Sequence, residues 1–124
     1  MNKTQKTDTR IAVIYWFITI GYMGTIFYLS SLQTIDISRF PENFDKVVHT
    51  LIYIPLSFLL YLSLRKSGVR KYVFLMAFLL AVGYGISDEM HQAFVPGRDA
   101  AVGDVLADTL GAFLGSLAAN LTKT

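Results

Sequence analysis

The sequence predicts an all-α polytopic membrane protein, a four-helix bundle running up-down-up-down through the bilayer. Three observations predict it. Only 16% of the 124 residues are charged and 53% are hydrophobic, whereas a soluble domain carries about 25% charged residues. Too little polar surface is left to cover a water-soluble particle of this size. The apolar residues also gather into four runs of spanning length, and the connections between them are short enough to set neighbouring helices antiparallel. The length bounds the chain to one domain, residues 1–124.

The first run, residues 11–30, holds no charge and has the ~20-residue length that crosses the hydrocarbon core. It is longer than the apolar part of a secretory leader, and no small-x-small cleavage pattern follows Tyr28-Leu29-Ser30. It therefore reads as a retained anchor. The second run, residues 47–64, is free of charge apart from a protonated form of His49. Pro55 inside it removes the backbone bond to the Leu51 carbonyl, which predicts a kink. The third run, residues 72–92, is apolar to Ile86 and continues through the polar stretch Ser87 to Gln92. The fourth, residues 100–121, carries Asp104 and Asp108 in its first turns. Strands are disfavoured because the runs are long, rich in Leu, Ala and Phe, and lack strict alternation. In lipid a helix also satisfies its own backbone groups, which an open sheet cannot do. Pro41 and Pro96-Gly97 mark the first and third turns.

Composition excludes some chemistry. The chain has no cysteine, so disulfides and thiolate metal sites are absent. The net charge is only +2 and forms no basic stripe, so no nucleic acid is expected as a partner. Membrane lipids are. Eight of the eleven basic residues fall on one side of the predicted bundle: Lys3, Lys6, Arg10, Arg65, Lys66, Arg70, Lys71 and Lys123. Arg39, Lys46 and Arg98 fall on the other. The positive-inside rule then predicts a multi-pass protein of the cell membrane with both termini in the cytoplasm. Eight of the nine acids lie on the outer side with those three bases, an imbalance that suggests a site.

Three segments meet at that outer end. Asp45 and His49 open the second helix four residues apart, hence on one helical face. A carboxylate beside an imidazole orients it and raises its basicity. The structural alternative is that Asp45 caps the helix. Asp88, Glu89, His91 and Gln92 close the third helix, with Glu89 and Gln92 on one face. Acids there meet the negative end of the helix dipole and call for a compensating cation, either Arg98 or a metal ion. Asp104 and Asp108 share a face of the fourth helix, with Ser116 and Asn120 further along it. Asp108 lies one turn deeper, where a charge costs roughly 2.5 kcal/mol or more unless it is paired or wet. The structural alternative is a proton or an ion pair with Lys46 or Arg98. Beside that ridge Gly103, Ala107, Gly111 and Gly115 form a small-xxx-small stripe that lets another backbone approach, within one bundle or between copies. The leucines Leu106, Leu110, Leu114, Leu117 and Leu121 take the other side. The tyrosines and Trp16 read as interfacial or packing aromatics.

The order and placement of these motifs resemble the VanZ-like family of small membrane proteins. The resemblance rests on Asp45, Lys46 and His49 followed by Tyr53, on Asp88, Glu89 and Gln92, on the Pro96-Gly97-Arg98 turn, and on Asp104 with Gly111 and Gly115. It covers roughly residues 11–121. Asp108 departs from the pattern, which more often has asparagine. The resemblance implies a link to resistance against teicoplanin, a lipid-tailed glycopeptide antibiotic. It points to Asp45, Lys46, His49, Glu89, Gln92, Arg98 and Asp104.

Three functions compete. The first is a non-enzymatic membrane factor acting on how a lipid-anchored antibiotic or a lipid-linked cell-wall precursor sits at the outer leaflet. The second is a membrane-embedded enzyme acting on a phospholipid or polyprenyl-phosphate head group. Glu89, His49, Asp45 and Asp104 are its candidate acid-base residues, and Lys46, Gln92 and Arg98 its candidate substrate contacts. His49, Glu89, Asp104 and Asp108 are candidate ligands for a divalent cation, although no strong metal motif such as His-Glu-x-x-His occurs. The third is a small proton-coupled transporter using Asp108 and Glu89.

Overall fold

The computed structural model describes residues 3–31, 44–95 and 102–122. Of residues 3–8 and of Asp45 it describes the backbone only. Four helices make up the described chain: α1 (Lys3–Ser30), α2 (Phe44–Lys66), α3 (Val73–Gln92) and α4 (Val102–Thr122). Each contains an apolar stretch of 20 to 22 residues, about 30 Å long at 1.5 Å per residue, which matches the hydrocarbon core. The protein is a multi-pass, all-α membrane bundle.

The helices outrun the apolar runs where polar residues extend them. α1 begins at Lys3 rather than at residue 11, because hydropathy marks where lipid begins and not where backbone bonding begins. The apolar span itself starts at Thr9. α2 runs past Leu64 to Arg65 and Lys66, two cations that suit the negative end of the helix dipole. Its stop is chemically specified. Gly68 N–H donates to the Arg65 carbonyl and Val69 N–H to that of Leu64, both at 3.1 Å. These two bonds form a Schellman motif with Gly68 at the left-handed position, φ 98°. Tyr72 also adopts a left-handed conformation, φ 60°, so α3 starts one residue later, at Val73. α2 remains helical through Pro55.

The closest helix pair is α2 with α4, which run parallel. A Cβ added at Gly111 would overlap the Thr50 carbonyl, and one at Gly115 the Ile54 carbonyl. Only glycine allows this approach. Side-chain pairs then cross the seam in one register: His49 with Asp108, Ser57 with Ser116, and Tyr61 with Asn120, each 59 residues apart. Thr50 Oγ1 adds a 3.2 Å bond to the Ala107 carbonyl. In hydrocarbon, where lipid tails are as apolar as leucine, such close packing and interhelical bonding hold helices together.

α3 covers the α2–α4 pair through small residues, with Ala77 and Ala81 fully buried against Leu56, Leu60 and Ala112. α1 lies outside, packed on α2 and touching α3. Polar bonds fix it in place: Trp16 Nε1 to Ser67 Oγ at 2.7 Å, Thr19 with Ser63 at 2.9 Å, and the Tyr84 hydroxyl to the Met23 carbonyl. Phe17, Ile18, Leu79, Leu80, Leu106, Leu110 and Leu121 project outward as a lipid-facing surface.

Candidate functional site

Because the helices alternate in direction, α2 and α4 begin at the same end of the bundle at which α3 finishes. The sequence concentrates its acids there, and the fold turns them inward. Asp88, Glu89, Gln92, Asp104 and Asp108 are all buried, Asp108 completely. Asp104 in the first turn of α4 meets the positive end of that helix, whereas Asp88 and Glu89 stand at the negative end of α3.

Two cross-helix pairs organise the cluster. Lys46 Nζ stands 2.7 Å from Asp104 Oδ1. One turn deeper, His49 Nδ1 lies 2.8 Å from Asp108 Oδ1. In that arrangement Nδ1–H donates to the carboxylate and Nε2 is left for chemistry. Nε2 itself lies 3.8 Å from Asp104 Oδ2. Ligand atoms of His49, Glu89 and Asp108 lie within 4.8 Å of one another, so α2, α3 and α4 each contribute one ionisable side chain to a single point.

The sequence reading and the structure divide on partners. His49 bonds to Asp108 across the bundle. Asp45, its predicted neighbour, lies within the first turn of α2, and its side chain is outside the described residues. Asp104, a candidate metal ligand, pairs with Lys46 and lies at the edge of the three-residue group, 3.8 Å from His49 Nε2. Gln92 is buried beside the cluster, 2% exposed. Arg98 and the Pro96-Gly97 turn lie outside the described residues. His91 belongs elsewhere: its ring stacks on Phe27 at 4.3 Å and its Nε2 is 2.8 Å from Ser31 Oγ. Gly103 faces the Lys46 side chain, not a backbone.

Tyr53, which carries part of the family resemblance but is given no role in the site by the sequence, belongs to the cluster. It is 1% exposed, and its hydroxyl has no hydrogen-bond partner among the described residues. The same holds for Asp108 Oδ2. Both sit against Gly85: a Cβ there would lie 3.0 Å from Asp108 Oδ2 and 3.3 Å from the Tyr53 ring. The signal that finds Tyr53 is the four-residue repeat His49, Tyr53, Ser57, Tyr61, which places a polar atom at each turn of one helical face.

Chemically, the site offers an imidazole oriented by a carboxylate, a second carboxylate within reach, and an ammonium held at the rim. A protein-family model described as VanZ/LLP1 matches residues 2–123, essentially the whole chain. No curated protein and no solved structure matches the chain.

Proposed function

The chain belongs to the VanZ/LLP1 family, and from that premise we propose that it serves the cell envelope by lowering susceptibility to glycopeptides of the teicoplanin type. It acts through the buried polar cluster, which faces the outer leaflet with both termini in the cytoplasm. The observation that carries this reading is the pair of stacked cross-helix contacts between ionisable groups, Lys46 with Asp104 and His49 with Asp108, at one end of the membrane-spanning bundle. Intramembrane charges are expensive and persist where they do something. Their place at one end of the spans suits contact with a lipid-anchored antibiotic or a lipid-linked wall precursor.

The experiment compares wild type and Glu89→Gln in a susceptible Gram-positive host, with membrane levels matched by blot. Selective protection against teicoplanin over vancomycin, lost in the variant, supports the reading. No protection by well-inserted wild type sinks it. Orientation is tested separately. The cysteine-free sequence allows single cysteines at Thr9 and Thr122 to be labelled with a membrane-impermeant maleimide. Labelling in intact cells at either position would overturn the cytoplasmic assignment.

A second reading is favoured by the His49–Asp108 pair itself. An imidazole with a carboxylate on Nδ1 is a general-base arrangement, and it fits a membrane-embedded enzyme acting on a phospholipid or polyprenyl-phosphate head group. Here His49 Nε2 takes the proton of a water that attacks phosphorus, the head-group P–O bond breaks, and the imidazolium returns the proton to the leaving oxygen, which departs as an alcohol, while Lys46 steadies the phosphate. Purified protein that leaves both lipid classes unchanged in nanodiscs would remove this reading.

A further inference from the structure

We infer that His49, Glu89 and Asp108 form a binding site for a divalent transition-metal ion of the Mn²⁺ or Zn²⁺ kind, held between α2, α3 and α4. This goes beyond the envelope reading and does not depend on it. The first observation is convergence: one nitrogen and two carboxylate ligands from three helices, with atoms within 4.8 Å of one another. The second is independent of it. Asp108 is completely buried, yet its Oδ2 has no hydrogen-bond donor among the described residues. A buried carboxylate oxygen left without a donor is costly, more so within a membrane span. The Tyr53 hydroxyl, 1% exposed, is also without a hydrogen-bond partner among the described residues. Gly85 keeps the space beside Asp108 Oδ2 free of a side chain.

A cation at the convergence point supplies what these atoms lack. It accepts lone pairs from the carboxylates, and its charge offsets that of Asp108, which is completely buried within the span. The donor set selects the ion. Imidazole with two carboxylates and no sulfur suits Mn²⁺ or Zn²⁺ better than Ca²⁺, which prefers an all-oxygen cage. Three protein ligands leave coordination positions open for a water or a phosphate oxygen. In the metal-bound form His49 Nδ1, the nitrogen that faces Asp108, is the ligand and gives up its proton, while Nε2–H points to Asp104 Oδ2, 3.8 Å away, with Lys46 beyond it as the outer layer.

The test uses the full chain in detergent, stripped with a chelator and titrated with MnCl₂ or ZnCl₂ by calorimetry. The expected result is one ion per chain, with affinity weakened about tenfold or more in Glu89→Gln, as loss of a ligand or its support weakens metal sites. His91→Gln, whose ring packs on Phe27 and Ser31 away from the ligand group, keeps wild-type affinity. Pulsed electron paramagnetic resonance of the Mn²⁺ form gives a readout that needs no foldable ligand variant. Coupling to one imidazole nitrogen is expected, and it survives in His91→Gln. Wild type that takes up no stoichiometric metal, Glu89→Gln that binds as tightly, or Mn²⁺ without imidazole coupling would each overturn the site. The first of these outcomes would assign Asp108 Oδ2 to a proton or a water. No antibiotic enters the assay, so its failure is separate from that of the envelope reading.

Discussion

His49 Nδ1 and Asp108 Oδ1 stand 2.8 Å apart across the seam of two parallel helices, and neither partner is easily removed alone. His49→Ala leaves a buried carboxylate unpaired and should cost about 3–5 kcal/mol. Asp108→Asn should cost much less, because the amide oxygen still accepts from Nδ1–H. Chemical unfolding in a fixed detergent measures both, and equal losses would contradict the paired geometry.

The glycines of the α2–α4 seam should be intolerant in a position-specific way. Gly111→Ala and Gly115→Ala push against the Thr50 and Ile54 carbonyls, and each should lose about 1–3 kcal/mol by overpacking. Gly21, Gly24 and Gly83 have nothing within 4 Å of an added Cβ, and alanine there should be neutral or slightly stabilising through helix propensity. Thermal midpoints of the five variants give the comparison.

Lys46 and Asp104 should behave as one unit. Lys46→Met and Asp104→Asn each disturb a 2.7 Å contact, and the double variant should lose less than the sum of the two. A double-mutant cycle should return a coupling of about 0.5–3 kcal/mol. A coupling of zero would mean that Asp104 is neutralised by another group.

Tyr53→Phe removes a hydroxyl that has no partner among the described residues. The fold should keep its stability or gain a little, because an unsatisfied buried group is lost. The metal affinity or the protection phenotype should fall in the same variant if the hydroxyl serves the site. A large loss of stability would mean that a buried water binds it.

Much of the fold is legible in the sequence because lipid is a strict solvent. It demands self-satisfied backbone and long apolar runs, and four such runs appear between residues 11 and 121. Helix ends are less legible, since the polar turns before residue 11 and after Leu64 bond as helix without looking apolar. The acid-rich end is also visible, because Glu89, Asp104 and Asp108 stand out against their neighbours. Partnership is not. His49 has Asp45 four residues away, so local spacing favours that pair, but its bond to Asp108 depends on the α2–α4 register. Gly111, Gly115 and the Ser57–Ser116 contact set that register together, and no local window contains them. Tyr53 illustrates the same limit: its burial is decided by α3 packing over it.

The shared 59-residue spacing of the α2–α4 contacts bears on how the chain can change length. Deleting one residue of α4 between Asp108 and Ser116 would rotate everything after it by about 100° and shift it by about 1.5 Å. Asn120 would leave Tyr61, Ser116 would leave Ser57, and the glycine stripe would be split between two faces. Insertions and deletions are therefore confined to the connecting loops, or must occur in both helices together at the same depth.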